Sequence, residues 1–295
     1  MFVFIEAITV CWVAIMSRQK PEQSAGYQQY VRDIFDTVAA SYDNASLRYF
    51  PFCADYCVDK LKIKKGSKVL DIACGTGVVS TAAAQVISSK GRVVAIDQSP
   101  VMLDILEQKA KKMHLQNIDI QQMDAENLEF RKNYFDVSIC SFGLFFMSNL
   151  SLAVSDWLSV TKPGGKVLFT SFAASAFQPL LAEAIESLKP YPLEYHSHDA
   201  FEYLALEQNC QQLAKDAGLH EVMTEKKQFG FHMQSTSEWW DVLWNAGFRG
   251  LLGQLNDVDL AEFKNKHLQE IERHKTDQGI WLDVPVIITI GHKPV

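Results

Sequence analysis

Residues Val69–Gly77 read VLDIACGTG. Lys68 to Ala73 is a short, nearly continuous apolar run, as expected for a strand buried on both faces. Glycines at 75 and 77 let the chain turn tightly and let a ligand approach the backbone. A helical stretch, Val78 to Ser88, follows and Gly91 ends it. The N–H groups of that helix would point at whatever lies over the turn, a favourable place for a carboxylate.

The pattern repeats outward from this unit. Arg92 to Ile96 reads as a second strand. Ser99 and Pro100 form a helix start, with Ser as N-cap and Pro at the first helical position. The helix Val101 to Met113 carries Lys109, Lys111 and Lys112 near its C-terminal end, where they suit the dipole. Strands are expected at Asn117–Met123, Phe135–Ser141 and Lys166–Phe172, with a helix at Leu152–Val160 and a turn at Pro163–Gly165. This order predicts an α/β fold with a mostly parallel sheet and helices on both faces. Upstream, apolar steps of three and four residues mark a helix from Tyr30, and a second covers Phe50 to Leu61. Downstream, helices are expected at Gln208–Ala217, at SEWWDVLW and at DLAEFKNKHLQEIERH. Strands are expected at Glu221–His232 and Val284–Gly291.

In an open parallel sheet, ligands bind beyond the carboxyl ends of the strands. Two further acids fall there. Asp97 ends the second strand and can take both hydroxyls of a ribose. Asp124 ends the third and can accept from an adenine amino group, with the N–H of Ala125 beside it. A dinucleotide site of the GxGxxG kind would place a third glycine where Ser80 stands, and it does not need the acid Asp71 inside the first strand end. Both points favour S-adenosylmethionine (SAM) over NAD(P).

VLDIACGTG, VVAIDQSPVML, QQMDAENLEF, FDVSICSFGL and VTKPGGKVLF resemble the successive motifs of class I SAM-dependent methyltransferases, in their order and spacing. FDTVAASYDN resembles the start of the UbiE-like (methyltransferase type 11) branch. The resemblance covers about Lys68 to Phe172 well and implies a Rossmann-like sheet of seven strands with a helical, aromatic lid. It implies that Asp71, Ala73, Gly75 and Gly77 line the methionine part of SAM, and that Asp97 holds the ribose. Gln98 and Met102 would border ribose and adenine, and Asp124 and Ala125 would bind adenine. Ser141 would offer backbone groups near the methionine amine, with Phe142 close to the transferred methyl. Ala73 departs from the family, where many relatives carry glycine. Tyr42 is a candidate wall over SAM.

The acceptor is less legible. His196 and His198 are candidate general bases, in a segment that covers the active site in this family. The aromatics Phe172, Phe177, Tyr191, Tyr195, Phe201, Tyr203, Trp239, Trp240 and Trp244 suggest an apolar pocket and a small planar or lipid-like acceptor, methylated on carbon or oxygen. The place of an NPPY-type motif reads SFGLF, which disfavours methylation of DNA bases. The alternatives are an NAD(P)-dependent oxidoreductase and a SAM-binding protein without catalysis.

Composition sets outer bounds. The chain has 295 residues, 48% hydrophobic and 21% charged, enough for a sizeable core. Its net charge of -7 argues against nucleic-acid partners. Six irregularly spaced cysteines predict neither a disulfide framework nor a metal site, and fit a reducing cytoplasm. Cys53 and Cys57 would share a helix face as buried thiols. MFVFIEAITVCWVAIM (residues 1–16) is apolar but shorter than the roughly 20 residues of a membrane span. The favoured reading starts the native chain at Met16, against a membrane-contacting segment or a packed helix. Residues 1–29 are then an extension and 30–295 one methyltransferase domain, with a lid-like insertion at about 174–207. A homodimer is left open.

Overall fold

A computed structural model of the chain describes residues 24–194 and 199–295. The expectations for residues 1–16, and for Tyr195, His196 and His198, lie outside the described residues.

β1 (Lys68–Ile72) is the apolar run, and Val69, Leu70 and Ile72 are sealed in the core. Burying each such side chain contributes about 1.5–3 kcal/mol. Two helices precede it, α1 (Ser24–Val38) and α2 (Tyr49–Leu61). The alternating units follow as α3 (Val78–Ile87), β2 (Arg92–Asp97), α4 (Pro100–Lys112), β3 (Ile118–Gln122), β4 (Phe135–Ser141), α5 (Leu150–Val160) and β5 (Thr161–Phe172). Then come α6 (Leu180–Leu188), α7 (Ala200–Leu204), α8 (Glu207–Asp216), β6 (His220–Gln228) and β7 (Phe231–Met233). The chain continues through α9 (Thr236–Trp244), α10 (Arg249–Leu252), α11 (Asp257–Ile271), β8 (Ile280–Leu282) and β9 (Pro285–His292).

Seven strands form one sheet in the order β3-β2-β1-β4-β5-β9-β6, and β7 pairs with β8 in a second, two-stranded sheet. β1 to β5 are parallel, and β9 runs antiparallel to both its neighbours. The order reverses direction between β1 and β4, which opens a crevice at their carboxyl ends. The expected mostly parallel α/β sheet is therefore the observed one. Among the described residues, no helix is long and apolar enough to cross a membrane.

Two expectations are corrected. The single strand at Glu221–His232 breaks into β6 and β7 around Gly230, where an added Cβ would strike the carbonyl of Leu282. Only glycine lets the chain pass that close as it leaves one sheet for the other. Residues Pro163–Gly165 form a bulge inside a longer strand rather than a turn before it. Pairing with β4 jumps from Phe135–Thr161 to Val137–Lys166.

Two anchors set the ends of the crevice. Ser99 accepts the N–H of Met102 at 3.0 Å and Pro100 opens α4, as its sequence predicts. The buried indole of Trp157 donates to the carbonyl of Ala125 at 3.0 Å, which fixes the loop after β3.

Candidate functional site

The turn after β1 holds three residues in the left-handed region: Ala73 (φ 53°), Gly75 (φ 53°) and Gly77 (φ 81°). Two of them are glycine for different reasons. Around Gly75 a Cβ would meet nothing within 4 Å, so its face is open for a ligand. At Gly77 a Cβ would collide with the Leu106 side chain, so that glycine packs α4 against α3. Ala73 takes the same left-handed conformation with a side chain, which costs about 1–3 kcal/mol.

Asp97 closes the turn from the next strand. Its Oδ2 accepts the N–H of Gly75 at 2.8 Å and its Oδ1 accepts the N–H of Ser99 at 2.9 Å. Burial raises its pKa, and the N–H donors of Ser99, Gly75 and Gln98 oppose that. A carboxylate has about four lone-pair sites, so acceptor capacity remains. Asp71 lies deeper, 1% exposed. The hydroxyl of Ser80, at the third glycine place, donates to its Oδ2. Burial pushes its pKa up to about 7; the Ser80 bond opposes this and the charge of Asp97 adds to it.

These residues line a cleft of about 1040 Å³. Asp71, Ala73, Gly75, Asp97, Gln98, Met102, Ala125, Ser141, Phe142 and Tyr42 all border it. Gly77 and Asp124 are not among its lining residues. Asp124 turns its carboxylate to the N–H of Glu126 at 2.9 Å and caps the loop after β3. Phe142 adopts a left-handed backbone (φ 57°) and donates its N–H to Thr170 Oγ1 at 3.0 Å.

Several lining residues escaped the sequence reading. Val31 and Phe35 of α1, with Phe50 and Phe146, roof the cleft. The roof is tied down by acids in FDTVAASYDN. Asp36 accepts from the Ser99 hydroxyl. Asp43 accepts from Thr76 Oγ1 at 2.6 Å and pairs with Lys109 at 2.8 Å. The stretch that resembles the family start thus carried more than Tyr42.

Val31, Phe35, Tyr42, Phe50, Phe142 and Phe146 also border a second cavity of about 1310 Å³. Tyr49, Phe172, Phe177, Phe201 and Trp239 add to its aromatic wall. Of the other aromatics singled out, Trp240 stacks on Trp244 at 5.4 Å, Tyr191 meets Phe263 edge-on at 6.5 Å, and Tyr203 is exposed. Cys53 and Cys57 face each other inside α2, with sulfurs 3.9 Å apart and no solvent contact.

A Rossmann-like sheet with an acid-braced glycine turn at its switch point defines a nucleotide-type cofactor site beside an aromatic chamber. The chain belongs to the ubiE/COQ5 methyltransferase family, whose model matches residues 23–236. It is 31% identical over 176 residues to the aklanonic acid methyltransferase DauC of Streptomyces sp. (strain C5), covering 59% of this chain and 80% of that protein. It is also 31% identical over 213 residues to the ubiquinone/menaquinone biosynthesis C-methyltransferase UbiE of Francisella philomiragia, covering 66% and 85%. The YcgJ protein of Bacillus subtilis shares the fold, with a TM-score of 0.57 at 20% identity over 83% of this chain and 99% of that one. The protein is a SAM-dependent methyltransferase that acts on a small molecule.

The cleft suits SAM on its own chemistry. Asp97 keeps acceptor capacity for hydroxyls, and Met102, Met123 and Ala125 offer an apolar slot for a flat base. Gly75 and the start of α3 leave room and N–H groups for a carboxylate.

Proposed function

We propose that this enzyme methylates a planar, oxygen-bearing and largely apolar acceptor, on carbon or oxygen, held in the aromatic chamber. One observation carries the reading: the cofactor cleft and the chamber share the wall formed by Tyr42, Phe50 and Phe142. The relatives support it, since the names of two of them refer to aklanonic acid and to ubiquinone and menaquinone biosynthesis.

Bound SAM supplies an activated methyl group on a sulfonium. The protein then mainly has to position and to exclude water, and good alignment is worth roughly 7–11 kcal/mol. Asp97 and Gln98 would hold the ribose, Met102 and Ala125 the adenine, and Asp71, Ala73 and Gly75 the methionine part. Ser141 and Phe142 would border the transferred methyl. Tyr42 would act as wall and hydrogen-bond donor. Burial, with the charges of Asp97 and Asp43, raises its pKa, so it stays protonated at neutral pH and is no phenolate base. His196 and His198 are the proposed bases, and Glu194, two residues before His196, lines the chamber. Asp124 would serve the site by shaping the loop that carries Ala125.

Residues 174–207 would form the lid, supported by Leu181, Ile185 and Phe201 in the chamber wall. We place the enzyme in the cytoplasm with no nucleic-acid partner, in keeping with its net charge of -7 and with five buried free thiols among the described residues. Homodimerisation is checked by sedimentation.

The test is transfer of radiolabelled methyl from SAM to a panel of quinols, phenols and lipid extracts. Label in quinols or phenols supports the reading. Label confined to aliphatic lipids overturns it.

A further inference from the structure

Tyr49 opens α2 and packs its ring against Phe50 at 4.4 Å, Phe177 at 5.7 Å and Phe172 at 6.1 Å. The residue is 2% exposed and lines the aromatic chamber. Its hydroxyl finds no hydrogen-bond partner among the described residues. Among the described residues, the sealed side-chain polar atoms without a partner are Glu202 Oε1, Arg249 Nη1 and His267 Nδ1, and the Tyr49 oxygen is not one of them. The oxygen therefore reaches open space, and the space its residue borders is the chamber. A polar atom held on a rigid ring in an apolar cavity costs free energy until it is paired, and it discriminates between ligands that can pair it and ligands that cannot.

We propose that Tyr49 is a specificity-determining residue: its hydroxyl donates a hydrogen bond to an oxygen carried by the acceptor ring and so selects oxygenated rings over bare hydrocarbon. The inference rests on the reading of the chamber as the acceptor site. Burial holds the phenol pKa well above its usual value, so the group donates throughout the neutral range. Tyr49 and Tyr42 pack on the same ring, that of Phe50, at 4.4 and 5.2 Å, which puts the bond close to the shared wall. The acceptor oxygen would then lie on the side facing the cofactor.

The test is calorimetry on protein loaded with S-adenosylhomocysteine, titrated with 1,4-dihydroxynaphthalene and with naphthalene, for wild type and Tyr49→Phe. The substitution removes one oxygen and keeps the ring contacts. Wild type should prefer the diol by about 5- to 10-fold, the worth of one neutral hydrogen bond. Tyr49→Phe should bring that ratio to within about twofold, with naphthalene affinity unchanged. A ratio that survives the substitution overturns the assignment. So does an equal loss for both ligands, which would mark a packing role, or a wild type that binds both alike. If neither ligand binds protein that does take up S-adenosylhomocysteine, the acceptor-site reading fails first.

Discussion

The Asp97 carboxylate accepts the backbone N–H of Gly75 at 2.8 Å, so the acid ending β2 braces the turn that follows β1. The same group is the proposed ribose ligand. Asp97→Ala should weaken SAM binding by about 2–4 kcal/mol, since hydrogen bonds to charged groups are worth roughly 1.5–3 each. It should also lower the melting temperature, because the Gly75 and Ser99 donors lose their partner. Asp97→Asn keeps one carbonyl acceptor and should lose less of both. Titration calorimetry and thermal melts check the order.

Asp71 predicts a pH effect on stability. Its folded pKa, about 7, lies above the ordinary 3.8. The folded state thus binds more protons between those values, and stability falls as pH rises through that window. Asp71→Asn removes the buried charge. The variant should melt higher than wild type at pH 8 and show a smaller advantage at pH 5. Melts across that range would contradict the assignment if the difference were constant.

The two glycines of the turn should fail differently. Gly77→Ala meets Leu106 and a positive φ together, so it should destabilise by about 2–5 kcal/mol. Adding Leu106→Ala should relieve only the collision. Gly75→Ala has no neighbour within 4 Å and should cost about 1–3 kcal/mol of backbone strain. Its larger effect should be on SAM affinity, since the Cβ enters the open face. Denaturant melts and SAM titrations separate the two.

That contrast shows how much could be read in advance. The alternating units from Lys68 to Phe172 follow from periodicity and turn residues, and the Ser99–Pro100 cap behaves as its chemistry demands. Asp71, Gly75 and Asp97 sit at strand ends, so a linear motif locates them at the cleft. The roof does not read this way. Phe35, Phe50 and Phe146 meet only through long-range packing, and nothing local distinguishes them from other core aromatics. The start of α6 carries no local signal of this kind, since Pro179 precedes it and no side chain caps it. The break at Gly230 depends on Leu282, more than fifty residues away. Asp124 shows the reverse problem: a strand-end acid suits either a ligand or its own turn, and here it bonds the turn.

His267 predicts an acid limit. The Trp239 indole N–H donates to its Nε2 at 2.9 Å, and the ring stacks on Phe263 at 5.3 Å. Burial pushes its pKa down to about 4 from 6.5. The folded state binds fewer protons in that window, so the stability is present above pH 6.5 and lost as pH falls through 4. His267→Leu leaves the Trp239 donor unpaired and should cost about 1–3 kcal/mol at pH 7.5. It should also flatten the fall in melting temperature between pH 6.5 and 4.5. An equally steep fall in the variant would remove His267 as the cause.

Calorimetric titration of SAM, with NAD in parallel, into wild type and Asp97→Ala tests the central claim most directly. SAM should bind wild type saturably, NAD should show no comparable binding, and Asp97→Ala should lose affinity for SAM by about 30-fold or more. Unchanged SAM affinity in Asp97→Ala, or tighter binding of NAD than of SAM, would contradict it.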